Sequence, residues 1–251
     1  MAEAATLAPT SHPALVGQTV VVIGGSSGIG LATARLARAE GAEVILTARN
    51  EQHLREAAEA VGAMSTAAFD ANDFNTLDEF IASLPDQIDH ILISGSGPYY
   101  APLDEIDFDK ARRDINQHLF LPIEVARRAA GRMRTRGSLV LIGGTGGRRA
   151  GVGLSMISTL TAGLPALTRN LAFEIAPIRV NLVAAGFVDT PLSATLLGKA
   201  LDERRAELRA TLPIRRVVGP DDVAAMAVHL MTNTALTGGT FDVDGGQQLV
   251  Q

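Results

Sequence analysis

Side chains able to do chemistry are scarce in this 251-residue chain, and the scarcity narrows what it can do. There is no cysteine, which excludes a thiolate nucleophile, a disulfide scaffold and a cysteine-ligated zinc or iron–sulfur centre. The histidines at 12, 53, 90, 118 and 229 form no H-x-x-x-H pair, so no metal site is expected. Of the 22 basic residues only Lys110 and Lys199 are lysines, and the only tyrosines are the neighbours Tyr99 and Tyr100 in GPYYAP. These phenols are candidate proton donors; aromatic packing under a proline-flanked loop is the alternative. Arg148 and Arg149 suit either an anionic substrate or a solvated pair. His118, beside Leu119 and Phe120, reads as a helix residue rather than an acid. Asp104, Glu105, Asp107 and Asp109 precede a helix, where carboxylates cap free N–H groups and offset the helix dipole.

A different chemistry lies in GGSSGIG (24–30), which joins an apolar run directly to an amphipathic one. Gly24 lets the chain turn, Gly28 lets backbone approach a pyrophosphate, and Gly30 lets helix and strand pack closely, while helix N–H groups face the anion. With Ser26, Ser27 and Ile29 the whole turn is read as cofactor-binding.

The elements that must position these residues follow from periodicity. TVVVIGG (19–25), EVILTA (43–48), MSTAAF (64–69), IDHILIS (88–94), SLVLIGG (138–144), RVNLVAA (179–185) and TFDV (240–243) read as strands. Between them lie helical stretches at 28–40, 51–61, 73–84, about 109–133, 155–176, 192–211 and 220–232. Strict alternation predicts a single doubly wound parallel sheet with helices on both faces and a ligand crevice at the strands' carboxyl ends. Residues 1–16, with two prolines and no periodicity, read as a flexible arm before one domain over 17–251. A formal net charge of −5 argues against nucleic acid and anionic membrane as partners, and no apolar run approaches the roughly 18 residues of a membrane span. No Lys or Arg precedes Arg35, so a basic targeting start is missing and a cytoplasmic location is expected.

The glycine turn, Asp70 after the third strand, Asn116 in the long helix, RVNLVAAGFVDTP (179–191) and FDVDGG (241–246) together resemble the short-chain dehydrogenase/reductase family, from about Gly17 to Gly246. The resemblance implies a Rossmann-type oxidoreductase that forms a homo-oligomer, dimer or tetramer, and acts on a small molecule under a helical lid at about 189–212. It assigns Asp70 and Ala71 to adenine, Gly186, Val188 and Thr190 to a nicotinamide carboxamide, and Ser94, Gly95, Ser96 and Ile142 to the cofactor crevice. At the end of the second strand Ala48 stands where a carboxylate would bind the NAD ribose, and Arg49 and Asn50 follow. A guanidinium pairs well with a 2′-phosphate, so NADP(H) is expected over NAD(H).

The family's Ser and Tyr-x-x-x-Lys fall on Gly144, Ile157 and Thr161, and no slip in register restores them, because residues 151–167 contain neither tyrosine nor lysine. Further departures are Ser94-Gly95-Ser96-Gly97 for the usual Asn-Asn-Ala-Gly, and Ala185-Gly186 for Pro-Gly. Pro165 cannot bond the Thr161 carbonyl and is expected to reshape that helix. Tyr99, Tyr100 and Asn116 remain as catalytic candidates. Three functions stay open: an oxidoreductase with an atypical proton donor, a catalytically silent NADP(H)-responsive binding protein, and a non-redox lyase or isomerase. The leucines of 192–201 suggest an apolar ligand.

Overall fold

The computed structural model describes residues 14–95 and 97–250, so most of the expected arm and the site residue Ser96 lie outside the described residues. The elements are β1 (Thr19–Ile23), α1 (Gly28–Ala39), β2 (Glu43–Ala48), α2 (Glu51–Val61), β3 (Ser65–Ala68), α3 (Phe74–Ser83), β4 (Ile88–Ile93), α4 (Phe108–Ile115) and α5 (Leu121–Ala129), followed by β5 (Met133–Gly144), α6 (Ser155–Glu174), β6 (Arg179–Ala185), α7 (Pro191–Leu197), α8 (Leu201–Thr211), α9 (Pro220–Thr232) and β7 (Thr240–Val243). Among the described residues seven strands form one parallel sheet in the order β3-β2-β1-β4-β5-β6-β7.

Strand alternation divides the core between the two faces. Val20 and Val22 join Val44, Leu46, Leu92, Val140 and Val183 against Ala34 of α1 and Val223 and Ala227 of α9. Val21 and Ile23 join Ile45, Ile91, Ile93 and Leu139 against Leu77 of α3, Val125 of α5 and Leu164 of α6. Chain order reverses between β1 and β4, which opens the crevice at their carboxyl ends.

Four expectations need correction. Leu15, placed in the arm, is fully buried in the first cluster, and its N–H bonds Glu40 O at 2.9 Å. The helix expected over 109–133 is instead α4 and α5 joined by a π turn over Asn116–Phe120, in which the Leu121 N–H donates to Asn116 O five residues back. β5 begins at Met133, earlier than expected, because the pairing with β4 slips between Ile88↔Met133 and His90↔Ser138 and sets the intervening residues out of register. α6 runs unbroken past Pro165: the lost bond at Thr161 is outweighed by packing of Leu160, Leu164 and Leu171, all buried.

Candidate active site

Two adjoining cavities occupy the crevice. The first, about 400 Å³, is bordered by Gly24, Ser26, Ser27, Gly28 and Ile29 of the turn, by Ala48, Arg49, Asn50 and His53 after β2, and by Asp70, Ala71, Ser94 and Gly95 after β3 and β4. The turn's glycines have separate tasks. Gly24 sits at φ +87° with a would-be Cβ only 2.0 Å from Ser94 O, and a would-be Cβ on Gly30, which lines neither cavity, would lie 2.1 Å from Gly24 O. Gly28, at φ +53°, borders the first cavity, and a would-be Cβ there would meet nothing closer than the Thr190 methyl, at an ordinary 3.5 Å. That space, at the start of α1, fits an anionic group held by backbone N–H donors. Asn50 caps α2 by accepting the His53 N–H at 2.9 Å, while Arg49 is exposed at the cavity edge. Asp70 accepts from the Asn72 backbone and side chain at 3.0 and 3.1 Å.

The second cavity, about 430 Å³, is bordered by Tyr100, His118, Ile142, Gly144, Arg149, Ile157, Thr161, Gly186, Val188 and Thr190, with Leu154, Phe187, Leu192 and Leu196 adding an apolar wall. Gly144, Ile157 and Thr161, far apart in sequence, thus meet in one chamber. A Cβ on Gly144 would meet the Thr161 methyl at an ordinary 3.5 Å, and the Thr161 hydroxyl donates to Ile157 O at 2.8 Å. Ile157 is 5% exposed and does not close the chamber.

The other candidates separate. Tyr99 lines neither cavity; its hydroxyl accepts the Asp107 N–H at 2.7 Å, so it braces the entrance to α4. Asp107 caps α4 by accepting from Asp109 and Lys110 N–H groups. Tyr100 does reach the chamber, half-exposed, where burial and then the charge of Asp114 push its pKa up. Asn116 opens the π turn but lines neither cavity. Arg148 is drawn away into an ion pair with Asp242, Nη2 to Oδ1 at 2.6 Å, whereas Arg149 lines the chamber.

One pair escaped the sequence reading. His118 borders the chamber, and its Nδ1 lies 3.0 Å from Asp114 Oδ1 and 3.0 Å from Asp114 O, with both side chains largely buried. Burial alone would lower the imidazole pKa, but the hydrogen bond and charge of Asp114 outweigh it, and the net shift is upward. The available signal was the i,i+4 spacing of Asp114 and His118 around Asn116.

Comparison with known proteins shows the family and the fold. Residues 23–248 match the profile of a family described as enoyl-(acyl carrier protein) reductase, and the short-chain dehydrogenase/reductase ATR9 of Stachybotrys chlorohalonatus (strain IBT 40285) is 27% identical over 93% of this chain and 98% of its own. The chain belongs to the short-chain dehydrogenase/reductase family. Another relative, the 3-oxoacyl-[acyl-carrier-protein] reductase of Bos taurus, is 32% identical over 91% of this chain and 97% of its own. Among solved structures, the MalC reductase/Diels-Alderase of Malbranchea aurantiaca superposes with a TM-score of 0.88 at 27% identity, covering 95% of this chain and 99% of that one. BdcA in complex with NADPH gives 0.83 at 26%, covering 93% and 95%. Among the described residues no helix is long and apolar enough to cross a membrane.

Proposed function

We propose that this chain is an NADP(H)-dependent oxidoreductase acting on a carbonyl or hydroxyl of an apolar small molecule, with a proton donor other than the family's tyrosine. The observation that supports it most is continuity: Ile29, Ser94, Gly95, Thr190 and Leu192 border both cavities, so the glycine turn leads directly into the apolar chamber. NADP(H), when bound, would supply or accept a hydride. The pyrophosphate would be held at Gly28 and the adjoining N–H groups, the 2′-phosphate by Arg49, adenine by Asp70 and Ala71, and the carboxamide end by Gly186, Val188 and Thr190, beside Ile142.

The chain's own part is to shape, dry and protonate. Leu154, Ile157, Phe187, Leu192 and Leu196 exclude water from a substrate, and the segment 189–212, helical through α7 and α8, serves as the lid. Gly144, Ile157 and Thr161 stand at the family's catalytic positions and bring no phenol or ammonium. An alkoxide formed there must take its proton from elsewhere. An open chamber beside Ile157 favours turnover over silent binding. As in the family, we read the chain as a homo-oligomer. Calorimetric titration with NADPH and NADH, followed by NADPH consumption with a series of apolar ketones, tests the reading: tight NADPH binding with turnover supports it, and NADPH binding with no turnover of any ketone supports the silent alternative.

A further inference from the structure

We propose that His118 is the proton donor of the chamber and Asp114 its positioning residue, a pair that replaces the missing tyrosine and lysine with an imidazole and a carboxylate. The inference rests on the oxidoreductase reading above. Four ionisable side chains from four separate parts of the chain border the chamber: Tyr100 from the loop after β4, His118 from the π turn, Arg149 after β5, and Arg204 from α8. From α6, Ile157 and Thr161 face the chamber and neither ionises near neutrality. A guanidinium holds its proton too firmly to be an acid. Tyr100 fails for a related reason. The family's phenol is made acidic by a cation, whereas the charged group beside Tyr100 is Asp114, which pushes the phenol the wrong way.

The same carboxylate suits an imidazole. Asp114 is 5% exposed and its Oδ2 has no hydrogen-bond partner, a costly arrangement unless a positive charge lies beside it. His118 supplies that charge when protonated, and Asp114 in turn holds the ring by Nδ1. With Nδ1 committed to Asp114, Nε2 is the nitrogen left to exchange a proton with a substrate. The π turn matters here, since the wide turn sets where His118 stands relative to α5.

The step balances. A carbonyl carbon receives a hydride from a reduced nicotinamide; the C=O π pair becomes the new O–H bond as the oxygen takes the Nε2 proton, and His118 is left neutral. In the reverse direction neutral His118 takes the proton from the alcohol.

The test uses the full chain, NADPH and cyclohexanone as the probe ketone, with His118→Gln, Asp114→Asn and Tyr100→Phe. Ring-proton NMR titration of His118 in wild type should give a pKa above that of a free imidazole, and Asp114→Asn should lower it. The pH at which ketone reduction falls off should move down with it. His118→Gln should reduce the rate about 10²- to 10⁴-fold while NADPH affinity, by calorimetry, stays within about threefold, and Tyr100→Phe should lose less rate than His118→Gln and keep the wild-type pH profile. A His118→Gln variant with wild-type rate and pH profile, or a His118 pKa indifferent to Asp114→Asn, overturns the assignment and leaves the oxidoreductase reading standing. A wild type that binds NADPH but reduces no ketone overturns both.

Discussion

Two glycines in one turn should fail in different ways when given a methyl group. At Gly28 the added Cβ meets nothing closer than the Thr190 methyl at 3.5 Å, so Gly28→Ala carries mainly the penalty of a left-handed backbone at φ +53°. That penalty is about 1–2 kcal/mol, or a drop of roughly 2–8 °C in Tm for a chain of this size. The methyl nevertheless occupies the space assigned to the pyrophosphate, and NADPH affinity should fall at least 100-fold. At Gly30 the Cβ would lie 2.1 Å from Gly24 O and 2.9 Å from its carbon, both backbone atoms. Backbone must move there, so Gly30→Ala should lose more stability, about 3 kcal/mol or beyond, in the absence of any ligand. Thermal unfolding with and without NADPH, beside calorimetric titration, reads both quantities. In wild type NADPH should raise Tm; in Gly28→Ala the unliganded Tm should fall only by the few degrees of the backbone penalty and the NADPH shift should vanish. A Gly28→Ala protein that binds NADPH as tightly as wild type would refute the placement of the anion in this turn.

Other outcomes are as specific. Arg49→Ala should weaken NADPH by roughly 10- to 100-fold, the value of a charge-assisted pair, and leave NADH almost unchanged; equal wild-type affinities for the two cofactors would remove the basis for Arg49. His90 is bonded to Ser138 Oγ and Gln18 Oε1 at 2.8 and 2.7 Å, and burial, with a smaller effect of Arg179, lowers its pKa from 6.5 to about 3. The unfolded chain therefore takes up this proton first: the stability it contributes is whole above about pH 6.5 and is lost by about 1.4 kcal/mol per unit as pH falls toward 3. Urea unfolding at about pH 7.5 and about pH 5 should show a smaller difference for His90→Gln than for wild type, and an equal difference would contradict it. The triple variant Gly144→Ser, Ile157→Tyr, Thr161→Lys should lose stability and reduce ketones only weakly, because position 161 is 6% exposed and a new ammonium there costs several kcal/mol without a partner. Tm and ketone reduction rate measure this; family-like turnover with an unchanged Tm would count against it.

The sheet was legible because its signal is local and strong: each central strand is a short β-branched run bounded by turn residues, and β1, β2 and β4 lie within a residue or two of their expected ends. The glycine turn was legible for the same reason, since its spacing carries its geometry. Two misreadings came from contacts that sequence cannot show. One leucine among prolines has no period, so Leu15 reads as part of the arm, yet it is buried in the cluster with Val20, Val22 and Ala37. Pro165 suggested a reshaped helix because the lost bond is visible in sequence and the packing that compensates it is not. The site was half legible. Gly144, Ile157 and Thr161 were found by counting and do converge, whereas the roles of Tyr99, Tyr100 and His118 turned on which hydroxyl or ring already had a partner. Asp107 occupies Tyr99, and Asp114 engages His118. Neither partnership leaves a trace in residue type alone.

The π turn between α4 and α5 has a further consequence. An α-helix advances about 100° per residue, so one surplus residue in the hydrogen-bonded ring puts the two halves out of phase by that amount. Deleting Leu119 would let the ladder close as an ordinary helix, with every buried anchor of α5 still present. What would change is the angle between those anchors and everything upstream, including Asp114. The chamber is thus indexed by a miscount in the helix, and a one-residue deletion could redirect its chemistry without altering any of the side chains that perform it.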